Sequence, residues 1–297
     1  MELDAIIAAL IDNGTHTFPE QTVRAAIEQQ EAITPRLLQV LEETGQDLEA
    51  VREQSEYMLH IYAMFLLAQF RETRAYPLLY QIAATPGDIV YDIMGDVLTE
   101  DFGRILASVC GGDLSLIKQL IEAPDVDDSV RGAGLQALLT LVVEGEISRE
   151  SVLDYFQQVL APIDEQDSPL GTAIAIYALD LTPNEAILTT LRAAYEKGVV
   201  DPVWSDLDDF SGALKEDPTE AAEYLKQNRH YRYVTDVVEA MPWWHCFSDD
   251  KPKPLPTRPM GMEIDTGREG NTKKKAKAKK KRKQQKQSRK QNRQKKK

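Results

Sequence analysis

Cysteine is nearly missing from this chain: Cys110 and Cys246 are the only two in 297 residues. Two thiols far apart exclude a disulfide scaffold and a four-cysteine zinc site. Long apolar runs are missing as well. The longest, Tyr57–Phe70, is interrupted by His60 and Gln69, is too short to span a bilayer and is expected to be a buried helix. The opening Met1-Glu2-Leu3-Asp4 is acidic, unlike a secretory signal. These absences lead to the expectation of a cytoplasmic protein with no membrane segment. Also lacking are a Gly-rich phosphate loop, a Gly-x-Ser-x-Gly elbow, a His-Glu-x-x-His helix and paired metal cysteines. The expectation is therefore non-enzymatic, with no cofactor.

Charge is abundant and unevenly placed. The net charge of −13 averages 35 Lys+Arg against 48 Asp+Glu. Residues 273–297 hold 16 of the cations and none of the acids, so residues 1–272 keep 19 cations against 48 acids, a balance of −29. Lys273, Lys274, Lys275, Lys277, Lys279, Lys280, Lys281, Arg282 and Lys283 place nine cations in eleven residues. Such a run neutralises phosphates without reading sequence, so RNA, the ribosome, DNA or another polyanion is the expected partner. No aromatic side chain is interleaved, so base stacking is not offered. The alternatives are a tail masked by the acidic body in a self-regulated protein, or a solubility appendage.

Helix signals dominate the rest. Thr34-Pro35, Thr85-Pro86, Thr182-Pro183 and Asp217-Pro218 each read as an N-cap before a first-turn proline. Asp217 and Glu220 have capping-box spacing. About a dozen helices are expected, and they look paired. Apolar helix, short polar turn and second apolar helix recur in 63–84, 105–123, 130–160 and 171–195. Taking Ala68, Ala107, Ala137 and Ala178 as equivalent gives an irregular period near 37 residues. That pattern predicts an all-α, HEAT-like α-α superhelix, because one hairpin cannot bury both its apolar faces alone. The alternative is a non-repetitive helical domain. The expected organisation is a helical-repeat domain over 1–247, a Pro/Gly linker over 248–272 and a disordered polybasic tail over 273–297.

Several landmarks also resemble a known family. Leu66-Leu67-Ala68-Gln69-Phe70-Arg71-Glu72 is followed by Tyr76-Pro77-Leu78-Leu79, then by Gly95-Asp96 and Thr99-Glu100-Asp101. Leu106–Asp113, Arg131-Gly132-Ala133 and Glu144-Gly145 complete the pattern. It resembles the bacterial domain-of-unknown-function family 1186 (DUF1186) over roughly 1–245. The resemblance implies an all-helical, HEAT-like fold and no particular activity. Gly267-Arg268-Glu269-Gly270-Asn271 is similar in outline to the opening of a SecA-type zinc tail that has lost its cysteines, so zinc is not expected there.

Four further features have two readings each. Asp88, Asp92, Asp96 and Glu100 are spaced by four. On one continuous helix they would form a carboxylate stripe for Mg²⁺ or Ca²⁺ and could serve a divalent-metal hydrolase. If Gly95 breaks the helix, Asp88 helps cap one helix and Asp96 begins the next. Trp243-Trp244-His245-Cys246 reads as a cap closing the core, or as an incomplete metal site. His60 reads as a satisfied core residue rather than a ligand, and His16 and His230 as loop residues. Arg71, Glu72 and Arg74 sit at a turn, where they either dock a protein partner or form local ion pairs.

Overall fold

A computed structural model describes residues 1–11, 16–54 and 56–247. Among these are 17 α-helices and three short 3-10 turns, with no β-strand. None of these helices is long and apolar enough to cross a membrane. The expected linker 248–272 and the basic stretch 273–297, including Lys273 to Lys283, lie outside the described residues.

The expected helix pairs are present. Leu59–Gln69 precedes Ala75–Ala83, Phe102–Val109 precedes Ser115–Glu122, Asp128–Val143 precedes Arg149–Leu160, and Ser168–Asp180 precedes Glu185–Glu196. The first helix of each pair packs against the first helix of the next. Their sequences explain the division. Ten of the eleven residues in Leu59–Gln69 are buried, so this helix is apolar all round and sits inside. Ser115–Glu122 instead buries Ile117, Leu120 and Ile121, a single stripe. Gly103 lies where the first helices Phe102–Val109 and Asp128–Val143 approach each other closely. A Cβ there would stand 2.7 Å from the Ala133 carbonyl oxygen, which explains a glycine inside a helix.

The turns are closed by left-handed residues. Arg71 has φ 56° and Gly145 φ 80°. Glu72 N–H then returns to the Leu67 carbonyl at 3.0 Å, and Glu146 N–H to the Leu141 carbonyl at 2.9 Å. These are Schellman closures of the preceding helices. Thr182, at φ 60°, is the strained case for a β-branched residue. The Arg149 guanidinium holds it by donating to the carbonyls of Leu181 and Thr182.

Three of the four proline N-caps are not observed. Pro35 lies inside Gln30–Gln46, because good helix formers start that helix five residues earlier. Thr34 Oγ1 donates back to the Gln30 carbonyl instead. Thr85 likewise donates to Gln81 behind it, and the next helix starts at Ile89 with no side-chain bond from Asp88. Pro183 precedes the true cap, Asn184, which accepts from Ile187 N–H. Only Asp217-Pro218 caps as expected. The reciprocal capping box forms at Asp206 and Asp209 rather than at Asp217 and Glu220. More helices form than the expected dozen, partly because Gly95, at φ 54°, divides Ile89–Met94 from Asp96–Glu100.

Candidate functional site

The segment Arg229–Phe247 contains only one α-helix, Val237–Ala240, and runs back along the earlier helices. Tyr231 hydroxyl donates to Asp180 Oδ2 at 2.8 Å. Tyr233 N–H donates to Glu144 Oε1 at 3.0 Å, Val234 N–H to Ser108 Oγ at 3.1 Å, and Val237 N–H to Gln69 Oε1 at 2.8 Å. The four acceptors are residues 180, 144, 108 and 69, each at the C-terminal end of a first helix. The steps between them are 39, 36 and 36 residues. The expected alanines do not share this register: Ala68 and Ala107 directly precede Gln69 and Ser108, whereas Ala137 lies mid-helix, well before Glu144, and Ala178 stands two residues before Asp180. The Arg71 guanidinium lies 3.3 Å from the Tyr233 ring centroid, and Arg74 pairs locally with Glu72 at 2.7 Å. That hydrogen-bonded pairing lowers the Glu72 pKa.

Where this segment meets the helix Asp96–Glu100, four polar side chains converge. His230 Nδ1 donates to the Glu100 carbonyl at 2.9 Å. Asp101, 1 % exposed, accepts from Arg104 Nε at 2.7 Å, and Arg104 is 5 % exposed. Gln136 Nε2 donates to both the Glu100 and His230 carbonyls, at 3.0 and 3.2 Å. Glu100, Asp101 and His230 bring ligand-type atoms within 4.8 Å of one another. However, Asp101 is engaged by Arg104 and the His230 ring by a carbonyl, so a metal there would have to displace partners. His230 does sit in a short turn, as expected, but it is a structural link to a residue 130 positions away.

Next to this cluster is a cavity of about 410 Å³, lined by Tyr57, His60, Ile93, Asp96, Glu100 and Trp243–Cys246 among others. His60 is 2 % exposed, and its Nε2 lies 2.8 Å from the Ile93 carbonyl oxygen. A carbonyl only accepts, so Nε2 carries the proton and Nδ1 presents a lone pair. That Nδ1 is buried with no hydrogen-bond partner among the described residues. The expected core histidine is therefore satisfied on one side only. Burial lowers its pKa, which favours the neutral ring. Tyr57 stacks on the imidazole with centroids 5.3 Å apart and planes 2° apart.

The Trp243–Cys246 stretch combines a core-closing role with a cavity wall. Trp244 meets Phe65 edge-on at 5.3 Å and stacks with Phe247 at 6.2 Å, closing the core. Trp243 carries the Arg229 guanidinium 3.6 Å from its ring centroid. Of the four spaced carboxylates, Asp96 and Glu100 reach the cavity wall, whereas Asp92 faces Arg52 at 3.5 Å. The break at Gly95 means that the four share no continuous helix. Cys110 is buried, burial raises its pKa, and its thiol donates to the Ala107 carbonyl at 3.4 Å. That environment disfavours the thiolate.

A second exposed feature is the loop after Glu185–Glu196. Val199, Val200 and Ser205 are buried, and the Tyr195 hydroxyl donates to the Ser205 carbonyl at 3.0 Å. Asp201 N–H donates to Thr172 Oγ1 at 3.0 Å. Between these anchors, Val203 and Trp204 are 83 % and 73 % exposed.

The family described as "Protein of unknown function (DUF1186)" matches residues 1–248. A protein of Chlamydia trachomatis serovar D, described as "Uncharacterized protein", is 35 % identical over 253 residues, covering 82 % of this chain and 96 % of its own. A Chlamydia muridarum protein of the same description is 36 % identical, covering 82 % and 97 %. No solved structure matches this chain.

Proposed function

This chain belongs to the DUF1186 family, and on that premise we propose that it is a non-enzymatic binding scaffold. In this reading the helix pairs form a HEAT-like superhelix that takes a protein partner, and residues 273–297 engage RNA, the ribosome or another polyanion. The near-even steps of 39, 36 and 36 residues between acceptors 69, 108, 144 and 180 support the repeat reading. The observation that carries partner binding is the loop that holds Val203 and Trp204 out into solvent from buried anchors. An exposed tryptophan is the kind of side chain that dominates protein interfaces. Nine cations within residues 273–283 support the polyanion role.

The test has two arms. A photo-crosslinking side chain at position 204 of the full chain, in cells, is expected to give a discrete protein adduct that a probe at exposed Glu185 does not. Fluorescent single-stranded RNA is expected to bind the full chain with a steep salt dependence and to lose binding to a 1–270 truncation, while helix content and melting stay unchanged. Equal adducts at 204 and 185 contradict the partner surface, and RNA binding that survives truncation contradicts the role of the tail.

A further inference from the structure

We propose that the cavity between the Tyr57–His60 stack and Trp243–Trp244 binds a primary organic ammonium ion, a ligand class separate from the scaffold's partners. Its volume of about 410 Å³ is that of a small-molecule site. Among the described residues, the charged side chains that line it are acidic, namely Asp96, Glu100 and Asp101, with no lysine or arginine. Asp101 is already paired with Arg104. Asp96 and Glu100 therefore supply the negative field. The aromatic walls suit a cation, whose attraction to a ring face grows as water is excluded. The chain itself gives an instance of this, with the Arg229 guanidinium 3.6 Å from the Trp243 ring centroid.

The second, independent observation is His60. It lines the same cavity, is 2 % exposed, and holds a buried Nδ1 lone pair that no group among the described residues meets. An unpartnered buried acceptor calls for a donor. A permanent cation without N–H groups cannot provide one, whereas a primary ammonium provides three. Carboxylates, rings and the lone acceptor together select an ammonium head on a short apolar stem, which Ile61, Ile93 and Met94 can flank. The head could belong to a free alkylamine or to a lysine side chain of a polypeptide, and the chemistry at the cavity is the same.

The full chain, labelled with ¹⁵N at histidine, is titrated with 1,4-diaminobutane, with a short lysine-containing peptide and with tetramethylammonium. Calorimetry runs in parallel. One of the two primary ammonium probes is expected to bind saturably at one site and to move the His60 Nδ1 resonance in the direction of an accepted hydrogen bond. Tighter binding of the diamine assigns a free amine, and tighter binding of the peptide assigns a lysine side chain. Asp96→Asn and Glu100→Gln, chosen because both residues are exposed, are each expected to weaken that binding by about tenfold. Saturable binding is expected to be absent with tetramethylammonium. The proposal is overturned by the absence of saturable binding with both primary probes, by equal binding of tetramethylammonium, by unchanged affinity in both variants, or by a His60 resonance that stays fixed at saturation.

Discussion

A chain ending at Gln227 is expected to lose its cooperative melting transition, while a chain ending at residue 250 keeps it. The difference lies in what Arg229–Phe247 buries. Val234, Val237 and Met241 are all fully buried within the same core as the first helices. Removing side chains of this kind forfeits roughly 1.5–3 kcal/mol each. Three of them amount to much of the roughly 5–15 kcal/mol that holds a domain folded. The ring contacts of Trp244 with Phe65 and of Phe247 with Phe18 go as well. Circular dichroism on heating distinguishes the outcomes. A sharp transition within a few degrees of the longer chain would mean that the segment only decorates the helices.

Arg104→Ala is expected to cost about 3–5 kcal/mol, because it leaves the Asp101 carboxylate buried without its partner. The pair is nearly free of solvent, with Nε and Oδ1 2.7 Å apart. The guanidinium also donates to the Arg229 carbonyl at 3.4 Å and lies 5.9 Å from the Phe65 ring centroid. Replacing both partners, as Arg104→Met with Asp101→Leu, removes the stranded charge and is expected to recover most of the loss. Urea denaturation of the two variants measures this directly. A single variant that loses under about 1 kcal/mol would place the pair among the weak, surface-like bridges.

The contrast between helices and site shows what a sequence can reveal here. The helix pairs were legible because their signals are local: apolar spacing, Gly145 and a short polar turn between each pair. Leu59–Gln69 was legible as a buried helix from its composition alone. Proline was a poorer guide, since Pro35, Pro86 and Pro183 each follow a threonine but lie inside a helix, after one, or before a different cap. The candidate site was mostly hidden. Asp96, Glu100, His60 and the Trp243–Cys246 stretch were visible as separate features with no reason to meet. The links that bring them together span long distances in sequence, such as His230 to Glu100 across 130 residues and Val237 to Gln69 across 168. Gln136, which ties Glu100 to His230, carried no signal, because a lone glutamine in a helix is ordinary. The near-even spacing of residues 69, 108, 144 and 180 emerged only from the segment they bind in common.

The segment Arg229–Phe247 docks on the ends of the first helices and so completes the cavity with its tryptophans. Native-state hydrogen exchange of the full chain tests it at individual amides. Tyr233, Val234 and Val237 N–H groups, held by Glu144, Ser108 and Gln69, are expected to exchange as slowly as the interior amides of Leu59–Gln69, in one cooperative opening. Exchange of these three at the rate of an unstructured peptide, with the helices still protected, would contradict the account.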